Sequence, residues 1–335
     1  MIETDVIVVG GGPAGASCAW QLKRHHLDCL VLDQARFPRF KPCAGWMSPE
    51  AVRYIHLDSA EYPHSFTKID TFHNSIHGLH LTTHATQYAI RRIEFDNWLL
   101  ERSGAPVYEH TVKSIVSEGG RYIIDGEYAA KYLVGAGGTY CPVYRTLFKA
   151  EDLRSRETLI AAQEDEFEYP YNDADGWLWF FENKLPGYAW YVPKNNGFVN
   201  VGVGGMAERM KANGDSLKRH WDLLVKQLDT LGLVRGYDYH PSAHSYYLRR
   251  GTEKVRKGNA FLVGDAAGLA TSDLGEGIGA SLRSGQLAAD AIARGGEYSV
   301  RSIPRYSLPS MVGQAMVHFG LHGKKKLNKP QPSGA

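Results

Sequence analysis

Two hydrophobic patterns alternate along the chain. Short unbroken apolar runs, which suit strands buried on both faces, occur at 5–9 (DVIVV), 27–33 (LDCLVLD) and 260–264 (AFLVG). Between the first two lies a stretch from Ala14 to about His25, rich in Ala, Gln, Leu, Lys and Arg, which predicts a helix. Strand, helix and strand in this order predict a βαβ unit. Residues 66–92 alternate enough to predict antiparallel strands, and 93–102 (IEFDNWLLER) return to helical spacing. Residues 107–134 read as a β-meander with turns at Gly119-Gly120 and Asp125-Gly126. Aromatic strands fill 156–205, among them WLWFFE, YAWYVP and FVNVGVGG. Residues 208–231 form the longest helical pattern, 237–249 return to strand, and 275–294 predict another long helix. Strands near 5, 28, 130 and 260 therefore bracket an aromatic sheet. The fold class expected is α/β: a doubly wound, Rossmann-like domain with an interleaved antiparallel-sheet domain.

Glycine changes the picture most. It supplies 36 of 335 residues, above the usual share of about 7%, and it clusters. GGGPAG places Gly10, Gly12 and Gly15 at G-x-G-x-x-G spacing, between a strand and a helix. The first glycine allows the tight turn, the second lets a pyrophosphate approach the backbone, and the third lets helix and strand pack closely. The helix N-terminus, opened by Pro13 and Ala14, offers amide donors and partial positive charge. Asp33 lies 18 residues after Gly15 at the end of the second strand, where a carboxylate takes ribose hydroxyls, and Gln34 follows it. Further on, LVGDAAGLATSDLGEGIGASLRSG (262–285) ends a strand in Gly264-Asp265, and Gly275, Gly277 and Gly279 open a helix. A third cluster, VGAGG, spans 134–138.

GGGPAG and GDAAG together resemble the FAD-dependent oxidoreductases of the p-hydroxybenzoate hydroxylase-like group. VGAGGTYCPVYR is similar to that group's third flavin motif, with Gly137 where an Asp is usual. RFPRFKPCAG (36–45), YAWYVP and NVGVG narrow the resemblance to the geranylgeranyl reductase family. It covers roughly residues 5–295. The resemblance implies an FAD-binding domain at 1–72, 88–155 and 250–300. It implies a substrate domain at 73–87 and 156–249, and a short C-terminal helix and basic tail at 301–335. It implies reduction of C=C bonds of a prenylated or other apolar substrate by reduced flavin. Cys43 falls in the family's active-site cysteine loop and is the expected proton donor or relay, while Tyr188, Trp190 and Pro193 wall the substrate pocket. The cofactor contacts expected are Gly10, Gly12, Pro13, Ala14, Gly15, Asp33, Gln34, Arg39, Cys43, Ala44, Gly45, Arg92, Val112, Ala136, Gly137, Gly264, Asp265, Gly275, Gly277 and Ile278. Two departures stand out: Cys43-Ala44-Gly45 replaces the usual CGG, and Thr271-Ser272-Asp273 follows GDAAGLA where a proline is usual. The second places an acid, Asp273, beside the cofactor's reactive edge.

Charge and composition then exclude classes. Lys plus Arg (38) nearly balance Asp plus Glu (36), which argues against a nucleic-acid clamp. No apolar run reaches the roughly 18 residues of a spanning helix, and the N-terminus carries no basic signal region. Four cysteines without CxxC spacing suit a reducing cytoplasm. His73, His77, His80 and His84 repeat at helical spacing, but Gly78, Thr82 and Thr83 disfavour a helix, so no metal is expected. Lys324, Lys325, Lys326 and Lys329 read either as a plain solvated tail or as a peripheral contact with anionic lipid. No second G-x-G-x-x-G follows a strand, so the electrons come from NAD(P)H visiting the flavin or from reduced ferredoxin. A monomer is expected. The alternatives are a flavin monooxygenase or halogenase-like enzyme on an aromatic or polyketide-like substrate, and an electron-transfer flavoprotein. The halogenase stretch W-x-W-x-I-P differs from YAWYVP at Tyr188 and Val192.

Overall fold

The computed structural model describes residues 1–56, 62–251, 253–308 and 320. β1 (Ile2–Val9) is buried over its second half, and α1 (Pro13–Arg24) follows through the glycine turn. Proline at the start of α1 suits the first turn. Its buried face holds Ala14, Gly15, Ala16, Ser17 and Ala19, small enough for the helix to lie close to the sheet. β2 (Cys29–Asp33) pairs in parallel with β1, from Val6 beside Cys29 to Val9 beside Leu32. The chain then leaves this layer through β3 (Trp46–Met47), α2 (Pro49–Tyr54), β4 (Thr67–Ile76) and β5 (Leu79–Ala89). It returns through α3 (Arg92–Arg102) to β6 (Val107–Glu109), β7 (Ile115–Glu118), β8 (Arg121–Ile124) and β9 (Tyr128–Gly135).

A second excursion supplies β10 (Leu159–Glu168), β11 (Gly176–Phe180), β12 (Gly187–Lys194) and β13 (Phe198–Met206). α4 (Ala207–Ala212), α5 (Leu217–Leu231) and β14 (Ser242–Tyr247) close it. β15 (Arg256–Lys257), β16 (Ala260–Leu262) and α6 (Ile278–Arg294) complete the first layer.

Two sheets result. The first runs β15-β16-β9-β1-β2-β6, with β7 and β8 added through β9. Its centre is parallel, as βαβ crossovers require. The second runs β14-β10-β13-β12-β11-β4-β5-β3 and is antiparallel except where β11 lies parallel to β4. β11 reaches β4 after a long excursion and not through a hairpin, so either direction was open to it.

Four expectations are corrected. β6 pairs in parallel with β2, so only β7 to β9 form the meander. The long pattern 208–231 splits in two, because Gly214 turns with φ +64° and Ser216 then caps α5 by accepting from the Arg219 amide. The longest described helix is α6 (17 residues), not α5 (15 residues). The division expected at 72/73 cuts β4, whose whole length lies in the second sheet together with β3 and β5. The basic tail and most of the C-terminal helix expected at 301–335 lie outside the described residues. Among the described residues no helix is long and apolar enough to cross a membrane.

Candidate functional site

The glycine turn sets one wall of the site. Gly15 faces the Gly10 carbonyl so closely that any side chain would collide with it, which is the helix–strand contact its place in the motif requires. A Cβ at Gly12, in contrast, would point into open space and meet only the Arg39 guanidinium at 3.4 Å. Gly12 is the N-cap of α1, no side chain caps it, and the first turn carries no acid. The free amides and the positive end of the helix therefore face a space that admits an anion. Asp33 leaves β2 beside this turn, and its carboxylate accepts from the amides of Gly11 at 2.7 Å and Ala35 at 2.9 Å.

That space is part of a cavity of about 930 Å³, at the upper end of the roughly 300–1,000 Å³ usual for ligand sites. It is lined by Gly10, Gly12, Pro13, Ala14, Asp33, Gln34, Arg39, Cys43, Ala44, Arg92, Val112, Ala136, Gly137, Asp265, Gly275, Gly277 and Ile278. Seventeen of the twenty cofactor contacts expected from sequence thus converge on it. Gly15, Gly45 and Gly264 do not line it. Gly15 packs α1 on β1, Gly45 joins the cysteine loop to Ile90, whose amide it accepts at 3.0 Å, and Gly264 donates to the Ser284 hydroxyl at 2.9 Å.

The opposite wall is the face of the second sheet. β12 alternates, so Tyr188, Trp190 and Val192 lie on the inner side while Ala189 and Tyr191 join the core beneath α5. Tyr188 and Trp190 line the cavity, with ring centroids 5.7 Å apart. Pro193, expected there too, falls on the other side of the strand and does not line it. Burial pushes the Tyr188 hydroxyl well up from its usual range, and it donates to the Leu274 carbonyl. Ala161, Ala162, Leu178 and Leu274 add apolar surface.

Cys43 sits between the two walls. Its Sγ accepts from the Gly45 amide at 3.3 Å, and its carbonyl takes a hydrogen bond from the Lys194 ammonium at 3.0 Å. Lys194 is fully buried at the end of β12 and pairs with Glu166, which Arg91 also faces at 3.1 Å. Arg92, at the start of α3, holds Asp96 with two bonds of 2.7 and 2.8 Å. Burial opposes its charge, but Asp96 outweighs burial and raises the guanidinium above its ordinary range. Arg39 stands 3.6 Å from the same carboxylate.

Asp273 is placed elsewhere than the motif suggested. It is buried and accepts from the amides of Leu274, Ser307 and Leu308, so it ties 307–308 to the loop and does not act as an acid at the cavity. Sequence reasoning missed Glu164, Lys194, His244, Tyr246 and Glu276, of which all but Lys194 line the cavity. Glu276, whose carboxylate accepts from the Gly279 amide, is pushed up to about 7 by burial. Its signal was an acid between Gly275 and Gly277. Glu164 and Lys194 had none, because a charged residue in an alternating strand reads as solvent-facing.

Comparison with known proteins follows this geometry. Residues 8–58, which run from the end of β1 through α1 and β2 to beyond α2, match the family described as an NAD(P)-binding Rossmann-like domain. A menaquinone reductase of Mycobacterium tuberculosis is 30% identical over 324 residues, covering 87% of this chain and 76% of its own. Digeranylgeranylglycerophospholipid reductase 1 of Methanopyrus kandleri is 26% identical over 311 residues, covering 86% of this chain and 80% of its own. The crystal structure of a geranylgeranyl bacteriochlorophyll reductase-like protein from Thermoplasma acidophilum shares the fold, with a TM-score of 0.73 at 21% identity over 88% of this chain and 79% of that one.

Proposed function

The chain belongs to the geranylgeranyl reductase family of FAD-dependent oxidoreductases, and from that premise we propose that it saturates carbon–carbon double bonds of a prenylated or quinone-bearing apolar molecule. One observation carries this reading. A single cavity joins the dinucleotide turn of the first sheet to the aromatic face of the second, so cofactor and apolar substrate share one space. The alternating rings of β12 would serve a hydrocarbon chain and would serve water poorly.

The chemistry that bound FAD would supply, once reduced, is the hydride. The chain's own residues bind, orient and protonate. The α1 amides and Gly12 would take the pyrophosphate, and Asp33, whose oxygens accept from the Gly11 and Ala35 amides with lone pairs left over, would take ribose hydroxyls. Asp265 would take hydroxyls of the ribityl chain, and Arg39, beside Gly12, would face the phosphates. Tyr188 and Trp190 exclude water from the reacting alkene. The Cys43 thiol, held in place by Gly45 and through its own carbonyl by Lys194, holds the proton for the second carbon. NAD(P)H fits as reductant, reaching the flavin transiently, because no second fingerprint follows a strand. Reduced ferredoxin is the other donor consistent with that.

Anaerobic turnover tests the proposal. The FAD-loaded protein, photoreduced until its yellow colour bleaches, should convert a prenylated quinone or prenyl lipid to a product heavier by two hydrogens per bond saturated. Product that forms only when oxygen is admitted would make the protein a monooxygenase or halogenase. Reoxidation by a carrier protein with no small-molecule product would make it an electron-transfer flavoprotein. Cys43→Ala should keep the flavin colour and lose turnover by roughly 100-fold.

A further inference from the structure

Glu164 stands on the inner face of β10, only 1% exposed, in the part of the cavity walled by the second sheet. Neither of its carboxyl oxygens completes a hydrogen bond of good geometry, although the Asn200 side chain approaches the carboxyl. Nδ1 of His244, 3.4 Å from the nearer oxygen across the β10–β14 pairing, is likewise unpaired. Buried polar atoms nearly always have partners. Three without one, gathered in one corner of a ligand cavity, point to a partner that arrives with the ligand.

The corner is built to hold them there. Gly202 lies opposite both Glu164 and Trp190 in register, and a side chain at 202 would run into the Glu164 Cβ at 2.7 Å. Trp190 is fixed in turn by donating from Nε1 to Asn200 at 2.7 Å. The carboxyl therefore projects beside a rigid apolar ring.

Several charges face it. Lys194 from β12 and Lys41 from the cysteine loop favour the carboxylate, as does Asn200 from β13, while Glu166 on β10 opposes it. Burial outweighs them and pushes the Glu164 carboxyl up to about 7. His244 is held down to about 3, first by burial and then by Lys41 and Arg92, so it adds no charge.

We propose that Glu164 in its acid form donates a hydrogen bond to a carbonyl-type oxygen of the substrate, with His244 beside it, so that this corner selects apolar molecules bearing such an oxygen over plain hydrocarbon chains. A hydrocarbon would leave the three atoms unpaired, which disfavours it, whereas a quinone or similar carbonyl partners the acid. The inference rests on taking the cavity as the reductase site.

Equilibrium binding to the oxidised, FAD-loaded protein tests it, read by quenching of tryptophan fluorescence. The probes are a short-chain prenylated naphthoquinone and a prenyl hydrocarbon of the same chain length. The quinone should bind about tenfold more tightly at pH 6 than at pH 8.5. Glu164→Gln, which keeps a donor at every pH, should bind it equally at both. Glu164→Leu should bind it about tenfold more weakly than wild type at pH 6, again without pH dependence. The hydrocarbon should respond to neither pH nor substitution. Quinone binding that ignores pH, a pH dependence that survives Glu164→Gln, or a hydrocarbon that responds equally would overturn the inference and leave the reductase reading standing. Protein that takes up no FAD, seen from absorbance near 450 nm, would overturn that reading instead.

Discussion

Glu164 shows what burial does to one residue. On the inner face of β10 it follows the buried, apolar Ile160 and Ala162 and precedes Glu166, whose like charge opposes it, so the carboxyl loses water and gains little in return. Its folded value near 7 lies above the ordinary 4.5. The folded state therefore binds more protons than the unfolded state between these values. The stability linked to this group is fully present below about 4.5, falls as pH rises, and is lost above about 7. His244 acts in the opposite sense over part of that range, because its folded value is lowered. Comparing Glu164→Gln with wild type removes that overlap. The variant should gain relative stability as pH rises from 4.5 to 7, by on the order of 3 kcal/mol, and no more above it. Urea melts at pH 5 and pH 8 measure the difference, and an unchanged gap between the two would refute it. Asp273 makes the converse case. Four amide contacts satisfy its carboxylate, and a residue that reads as reactive in sequence serves to fasten a loop.

At the scale of elements, the end of β12 carries the connection that matters most. Lys194 reaches from this strand to the Cys43 carbonyl and to Glu166 on β10, so one ammonium joins the cysteine loop to two strands of the second sheet. Lys194→Met should cost about 3 kcal/mol of unfolding free energy, the low end for a broken buried pair, since Arg91 still faces Glu166. It should also loosen the cysteine loop while leaving the dinucleotide turn intact. Chemical denaturation and FAD titration separate these effects, and weaker FAD binding with normal stability would contradict this assignment. α1 needs no such tie. Its small buried face and its proline start were visible in GGGPAGASCAW, and the helix forms where that pattern puts it. The second sheet was legible as strands but not as an order of strands. Alternation in 66–92 and the aromatic runs at 177–204 mark extended segments, yet nothing local says that β11 pairs with β4 across a long excursion.

In the whole molecule, the two sheets are built from interleaved pieces of chain. β3, β4 and β5 come before most of the first sheet in sequence and still complete the second. A fragment of 156–249 would therefore carry β10 to β14 but lack the other three strands and expose the β11 edge. Such a fragment should be unfolded by circular dichroism and prone to aggregate. A cooperative melt from it would show that the second sheet is independent. The cavity has the same origin, since its walls come from stretches as far apart as residue 9 and residue 307. Sequence by itself determined what local rules govern. The βαβ unit and the glycine turn with Asp33 follow from residue type and spacing, while the cysteine loop and the pocket positions of Tyr188 and Trp190 were legible only through the family resemblance of their motifs. Tertiary structure decided what depends on which segments meet. It turned Asp273 away from the cavity and Pro193 to the outer face, and it buried Glu164, His244 and Lys194, whose charge reads as solvent-facing in a single strand. Burial and pairing are properties of neighbours brought from distant parts of the chain, and no local pattern encodes them.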